Sequence, residues 1–161
     1  MKRISIIFLR VVVVLIGIGT LAFLLWEPHI EGRNIHATFF DIYFKDPFLI
    51  YVYIASASFF VGLYQVFKLL GYIGQNSVFS QNTVRALRTI KYCSIILIIF
   101  ILGAEAYFFI VQSSKGEDIA GGVAIGFVMI FISLIIATAA TLFEKILQNA
   151  VDMKSENDLT I

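Results

Sequence analysis

The sequence predicts an all-α integral membrane protein, a bundle of four transmembrane helices with both ends in the cytoplasm. Its 161 residues are 60% hydrophobic and only 14% charged, whereas soluble domains carry about 25% charge and about 45–50% apolar residues. Four apolar runs each reach the length of about 20 residues that a spanning helix needs. The length predicts a single membrane domain over residues 1–161, with no separate catalytic module.

Each of the four runs is expected to be helical, because a backbone surrounded by lipid must satisfy its own hydrogen bonds. The predicted helices cover about residues 4–26, 47–70, 90–112 and 119–143. The first run stays apolar from Ile4 to Trp26, which is too long for a secretory signal and predicts an uncleaved helix. An apolar stripe from Leu142 to Val151, at steps of three and four residues, predicts that helix four continues into a cytoplasmic tail over 144–161.

Lysine and arginine in the connections predict the orientation, because cytoplasmic loops carry an excess of both. The chain start carries Lys2 and Arg3, and the second connection is basic, with no acidic residue from Gly71 to Lys91. The first and third connections mix basic with acidic residues. The start and the second connection are therefore expected to face the cytoplasm.

The second connection is predicted to be a cytoplasmic elbow that leads into helix three. Two glycines and an Asn-Ser pair mark a turn over 71–79, after which Ser80 or Asn82 is expected to cap a helix. The apolar residues Val84, Leu87 and Ile90 fall on one face of this short amphipathic lead-in. Arg85 and Arg88 point elsewhere and can meet anionic headgroups of the inner leaflet.

Glu105 is an ionisable residue inside an otherwise apolar helix. Such a residue costs about 2.5–3.5 kcal/mol on insertion scales and usually marks a pathway or a ligand site. The helical rise places four other residues at its depth: Thr20, Tyr53, Ser56 and Gly126. These residues would form an outward-open pocket whose carboxyl couples to proton movement or binds a cation. Alternatively, Glu105 only hydrogen-bonds Tyr53 or reaches Lys45 or Lys115.

Small residues are expected to mediate helix packing, since lipid is as apolar as leucine. Helix four carries a Gly-x-x-x-Gly step, Gly122 to Gly126, and the same face continues through Ser133, Ala137 and Thr141. Close packing inside one bundle is the preferred interpretation. A homodimer seam on helix four is the alternative.

The other polar residues give weaker indications of function. Arg10 is expected to snorkel to the inner surface, and Cys93 to pack as a small hydrophobe. His29 and His36 match no metal-ligand spacing, so neither a metal nor a cofactor is predicted. No nucleophile, metalloprotease or phosphate-loop motif occurs, so the chain is not expected to be an enzyme or to bind nucleic acid directly.

Two stretches resemble an uncharacterised prokaryotic membrane family, domain of unknown function 2975. One is the run Val78-Phe79-Ser80-Gln81-Asn82-Thr83-Val84-Arg85-Ala86-Leu87-Arg88-Thr89-Ile90, and the other is the ending Glu156-Asn157-Asp158-Leu159-Thr160-Ile161. The matching positions are Phe79, Asn82, Leu87, Arg88, Leu159, Thr160 and Ile161. The resemblance implies no established activity. Members often resemble partners of small helix-turn-helix regulators, which implies a sensor or anchor in the plasma membrane for a cytoplasmic DNA-binding protein.

Two hypotheses of function follow. In the first, the pocket near Glu105 senses a ligand, an ion or the membrane state, and the elbow and tail bind the regulator. The candidate partner-binding residues are Arg85, Arg88, Asp158, Leu159 and Ile161. The tail alternatively folds back over the bundle. The second hypothesis is a small transporter or channel subunit with Glu105 as the coupling carboxylate, and immunity to a membrane-active peptide is a weaker third.

Overall fold

The protein is described by a computed structural model that covers residues 2–30, 47–116 and 118–158, with side chains for 3–26, 47–114, 116 and 118–156. The α-helices are α1 (Lys2–Ile30), α2 (Pro47–Gly74), α3 (Gln81–Tyr107) and α4 (Ala120–Asp158). Across these ranges, four helical segments are long and apolar enough to cross a membrane. The predicted all-α, four-span membrane fold is therefore confirmed, whereas the predicted orientation stays a prediction.

The elbow between α2 and α3 is a tight turn that passes directly into a capped helix. Asn76 adopts a left-handed backbone conformation with φ of 57°, which asparagine tolerates better than most residues. Ser80 is the N-cap of α3, and its hydroxyl accepts a bond from the Thr83 backbone N–H at 3.4 Å. The Thr83 hydroxyl, fully buried, donates to the Ser77 carbonyl at 3.2 Å. The lead-in and helix three are consequently one continuous helix from Gln81.

The helices pack mainly in chain order, α1 on α2, α2 on α3 and α3 on α4, and the α3–α4 interface is the most extensive. The buried apolar residues of the described helices are Val84, Ala86, Leu87, Ile90 and Cys93 of α3, with Ala137 and Ala140 of α4. The three apolar residues predicted to share one face of the lead-in are among them. Large apolar side chains elsewhere on all four helices are exposed, as a surface that faces lipid requires.

Glycines bring neighbouring helices close together, as small residues do in membranes. A Cβ atom on Gly17 of α1 would lie 3.1 Å from Leu63 of α2. A Cβ atom on Gly62 of α2 would lie 3.4 Å from the Cβ atom of Cys93 on α3. Packing inside one chain thus accounts for these two glycines.

The end of helix three departs from the continuous α-helix predicted over 90–112. The α-helix stops at Tyr107, continues as a π-helical turn over Phe108–Gln112 and then tightens into a 3-10 turn over Ser113–Lys115. The Phe108 N–H is shared between the carbonyls of Ala104 and Glu105, four and three residues earlier, and the wide π-helical turn begins at Phe108. Hydropathy carries no information on this change, because the residues of a wide turn are as apolar as those of an α-helix.

Candidate functional site

Glu105 lies in the α3–α4 interface and is only 7% exposed. A Cβ atom built on Gly126 would overlap its carboxylate, so the absent side chain of this glycine provides the space that the carboxylate occupies. Four residues earlier on α4, a Cβ atom on Gly122 would lie 3.1 Å from the ring of Phe108. The Gly-x-x-x-Gly face of α4 therefore receives a carboxylate and an aromatic ring from α3, and both glycines pack inside one chain.

The Glu105 carboxylate is not neutralised by any group that the structure describes. Its Oε2 atom is buried and has no hydrogen-bond partner among the described residues. On α4, no titratable residue occurs from Ala120 to Phe143. Lys45 and Lys115, the lysines considered as alternative partners, have side chains outside the described residues. Because an unsatisfied buried polar group is costly, this atom is the most unusual polar feature of the described interface.

The pocket predicted around Glu105 is divided between two interfaces. Gly126 lies against the carboxylate, as described above. The Tyr53 hydroxyl instead donates to the Leu24 carbonyl of α1 at 3.3 Å, and the Ser56 hydroxyl donates to the Tyr53 carbonyl within α2 at 2.8 Å. Thr20 lies on α1, which packs on α2. The structure thus brings Glu105 and Gly126 together, and joins Tyr53 to the first helix.

Tyr51 is a polar neighbour on α2 that the sequence analysis did not single out. Its hydroxyl donates to the Phe100 carbonyl at 2.7 Å and lies over Gly103. A Cβ atom on Gly103 would overlap that hydroxyl. This bond holds α2 and α3 together about one turn before Glu105. The sequence feature that could have predicted it is a glycine on one helix at the depth of a tyrosine on the next.

A second buried glutamate, Glu144, lies in the same interface toward the elbow end and is fully paired. Its Oε1 atom accepts a bond from Arg88 Nε at 2.7 Å, and its Oε2 atom accepts one from Lys91 Nζ at 2.6 Å. Glu144 is 8% exposed, whereas the side chains of Arg88 and Lys91 are 52% and 19% exposed. One anion and two cations thereby join α3 to α4.

The sequence analysis did not predict this cluster, because the apolar stripe that it followed along the α4 extension does not include Glu144. The buried residues of α4 are Gly126, Ser133, Ala137, Ala140 and Glu144, at steps of seven, four, three and four. Extending the small-residue stripe to Glu144 would have placed it on the buried face. Arg88 has an intramolecular partner, and Arg85 is exposed. The headgroup and partner contacts predicted for these two arginines stay predictions.

A groove lies between the elbow and the far part of α4. It has a volume of about 570 Å³ and is lined by Asn76, Ser77, Phe79, Ser80, Ala150, Met153 and Lys154. Phe79 and Met153 are both exposed large apolar side chains. By helical rise, Met153 is about 50 Å along α4 from Ala120, and a hydrocarbon core is about 30 Å thick. With a hydrocarbon core over the predicted span 119–143, the groove lies beyond that core.

Arg10, which the sequence analysis expected to snorkel to the inner surface, has its guanidinium against α2. Its guanidinium carbon lies 4.8 Å from the centre of the Phe67 ring on α2, and a Cβ atom on Gly71 would overlap the guanidinium. Its Nε atom is buried and has no hydrogen-bond partner among the described residues. A glycine and an aromatic face on α2 hold the cation between the two helices, where a cation–π contact is favourable.

Several predicted site residues lie outside the described side chains: His29, His36, Asp158, Leu159 and Ile161. The predicted roles of the last three in partner binding stay predictions. Among the side chains that are described, no group of three or more His, Cys, Asp or Glu residues has the arrangement of a metal site.

Comparison with known proteins gives two matches that together cover the whole chain. The profile of the family described as "Protein of unknown function (DUF2975)" matches residues 38–161. The uncharacterized membrane protein YoaS of Bacillus subtilis (strain 168) is 42% identical over 162 residues, covering 100% of both chains. No solved structure matches this chain.

Proposed function

Because this chain belongs to the DUF2975 family of proteins of unknown function, we propose that it is a membrane-embedded regulatory protein that anchors a cytoplasmic helix-turn-helix regulator at its elbow end. Membership confirms the family resemblance found in the elbow and in the ending of the sequence, and multi-pass residence in a prokaryotic membrane agrees with the related membrane protein. The regulator itself is what the resemblance implies.

The groove between the elbow and α4 is the observation that carries this proposal. A helix of 39 residues is about 58 Å long, nearly twice what a bilayer core needs. The extra length and the elbow together form a rigid surface outside the lipid. Two apolar side chains, Phe79 and Met153, stay exposed there, although lipid does not cover them. Such side chains are typical anchors for a helix that docks in a groove.

Charge at the elbow end favours an acidic partner surface. The described elbow from Gly71 to Lys91 contains no acidic residue. Lys154 lines the groove and Arg85 is exposed on the first turn of α3. In contrast, Arg88 and Lys91 are already paired with Glu144 and contribute less to an external contact. We therefore assign docking to Phe79 and Met153, and electrostatic attraction to Arg85 and Lys154.

The proposal is tested by binding of a purified regulator, first identified by capture from native membranes in mild detergent. The double variant Phe79→Ala/Met153→Ala should weaken its affinity for the full-length chain at least about tenfold, or about 1.4 kcal/mol. Gln148→Ala is the matched control, because this residue lies on α4 outside the groove. A chain that ends at Glu156 tests the predicted contribution of Leu159 and Ile161 separately.

Two results would contradict the proposal. If capture yields no helix-turn-helix protein, the predicted class of partner is wrong. If a regulator binds the double variant as tightly as the Gln148→Ala control, the groove is not its docking surface.

A further inference from the structure

The unpaired carboxylate of Glu105 implies a site that partner binding at the elbow does not use. Its side chain is more than nine-tenths buried, and its Oε2 atom has no hydrogen-bond partner among the described residues. A buried charge without a counter-charge is among the most expensive features of a membrane protein. We propose that Glu105 is an exchangeable proton-binding site inside the membrane, in the α3–α4 interface beside the wide turn.

The chemistry of the surroundings favours a proton over a metal cation. Sites for hard metal cations such as calcium and magnesium supply several oxygen ligands, whereas the described neighbour of this carboxylate on α4 is the backbone of Gly126. Nearby carbonyls are already engaged: that of Phe100 accepts from Tyr51, and those of Ala104 and Glu105 accept from the Phe108 N–H. One carboxylate alone holds a proton, but not a metal ion.

The titratable groups on the four helices provide no positive charge near Glu105. On α3, from Tyr92 to Tyr107, they are Tyr92, Cys93 and Tyr107, while the cations Arg85, Arg88 and Lys91 lie 14 or more residues before Glu105. On α2, from Pro47 to Phe67, they are Tyr51, Tyr53 and Tyr64. The described part of α4 has none from Ala120 to Phe143, and α1 has none from Val11 to Trp26. None of the groups in these ranges is a lysine, an arginine or a histidine. No described cation at this depth would therefore hold Glu105 as a permanent anion.

The local backbone gives the site room. Gly126 leaves the space that the carboxylate fills, and the wide turn begins within one turn of Glu105. Such wide turns are frequent at functional sites, because they loosen the hydrogen-bond ladder of the helix. Gln112, Ser113 and Ser114 follow in the π-helical and 3-10 turns, about two turns farther toward the end opposite the elbow.

The test uses the full-length chain in lipid vesicles and dicyclohexylcarbodiimide, an apolar reagent that modifies protonated carboxyl groups inside membranes. We expect one adduct per chain, on the peptide that contains Glu105, with a yield that falls as the pH is raised. The Glu105→Gln variant should lose this adduct completely. Glu144 is an internal control in the same sample, because its two ion-pair partners keep it as a carboxylate and it should stay unmodified.

Two further observations decide the outcome. Infrared difference spectra of the unmodified chain should show a carbonyl band of a protonated carboxylic acid that changes with pH and disappears in Glu105→Gln. An absence of the adduct and of the band across the pH range would overturn the proposal. Protection of Glu105 by excess sodium at constant pH would overturn it too, because the ligand would then be a metal cation. Neither measurement depends on a regulator, so a failed partner experiment leaves this test intact.

Discussion

The α3–α4 interface contains two glutamates that are equally buried and differently surrounded. Glu144, toward the elbow, is bonded to Arg88 and Lys91 at 2.7 and 2.6 Å. Glu105, toward the opposite end, lies against Gly126, and one of its oxygens has no partner in the described part of the chain. The two positions differ in their neighbours rather than in their depth in the interface.

This difference separates structural from functional carboxylates. A buried anion with two cations offsets its own desolvation and fixes how two helices align, although such clusters add little net stability over apolar packing. A buried carboxyl with no partner contributes nothing comparable to the fold. Intramembrane ionisable residues of that kind usually mark ion or proton pathways. The comparison therefore assigns alignment of α3 and α4 to Glu144 and proton binding to Glu105.

The largest expected effect is the loss of stability when the Glu144 anion is removed, which tests its structural role. Glu144→Gln removes the anion and leaves Lys91 in the interface with a neutral amide, which costs on the order of 1–3 kcal/mol or more for a charged group. The thermal unfolding midpoint in a mild detergent should fall clearly below that of the unaltered chain. An unchanged midpoint would show that the ion cluster does not hold α3 and α4 together.

The next effect concerns the space that Glu105 occupies. Gly126→Ala places a methyl group where the carboxylate lies, and overpacking of this kind costs about 1–3 kcal/mol. The cost should shrink when Glu105→Ala is combined with it, because the overlapping group is then absent. Thermal midpoints of the four chains form a double-mutant cycle, and strictly additive effects would argue against the contact.

A smaller effect distinguishes the two cations of the cluster. The Lys91 side chain is much less exposed than that of Arg88, and pairs with an exposed partner contribute less and are screened by salt. Lys91→Met should therefore lower the thermal midpoint more than Arg88→Met, and added salt should reduce only the Arg88 effect. Equal effects at both salt concentrations would contradict this ranking.

The smallest expected effect on stability is that of Glu105→Gln, the same chemical change as at Glu144. If Glu105 holds a proton, an isosteric amide replaces one neutral group by another, and the change should be less than about 1 kcal/mol. The matched pair of Glu→Gln variants, measured in one detergent, thus sharpens the comparison most directly. A loss as large as that of Glu144→Gln would indicate a structural anion at Glu105.

Features that depend on single residues and their chain neighbours were predictable from the sequence. The four spans follow from apolar runs, because transfer into lipid is close to a sum over residues. The cap at Ser80, the buried face of Val84, Leu87 and Ile90, and the continuation of α4 past the membrane follow from local hydrogen bonding and helical periodicity. The presence of Glu105 inside a span is likewise a property of the chain alone.

Only the tertiary structure decided which side chains on different helices contact each other. The sequence grouped Tyr53, Thr20 and Glu105 by depth, but packing in chain order sends Tyr53 to Leu24 on α1 and leaves Glu105 facing Gly126 on α4. It also could not assign Arg88 and Lys91 to Glu144, 56 and 53 residues away along the chain, or foresee the wide turn after Glu105. Hydropathy gives the depth of a side chain along its helix, whereas pairing also depends on how each helix rotates and which neighbour it meets, and close packing of the whole chain determines both.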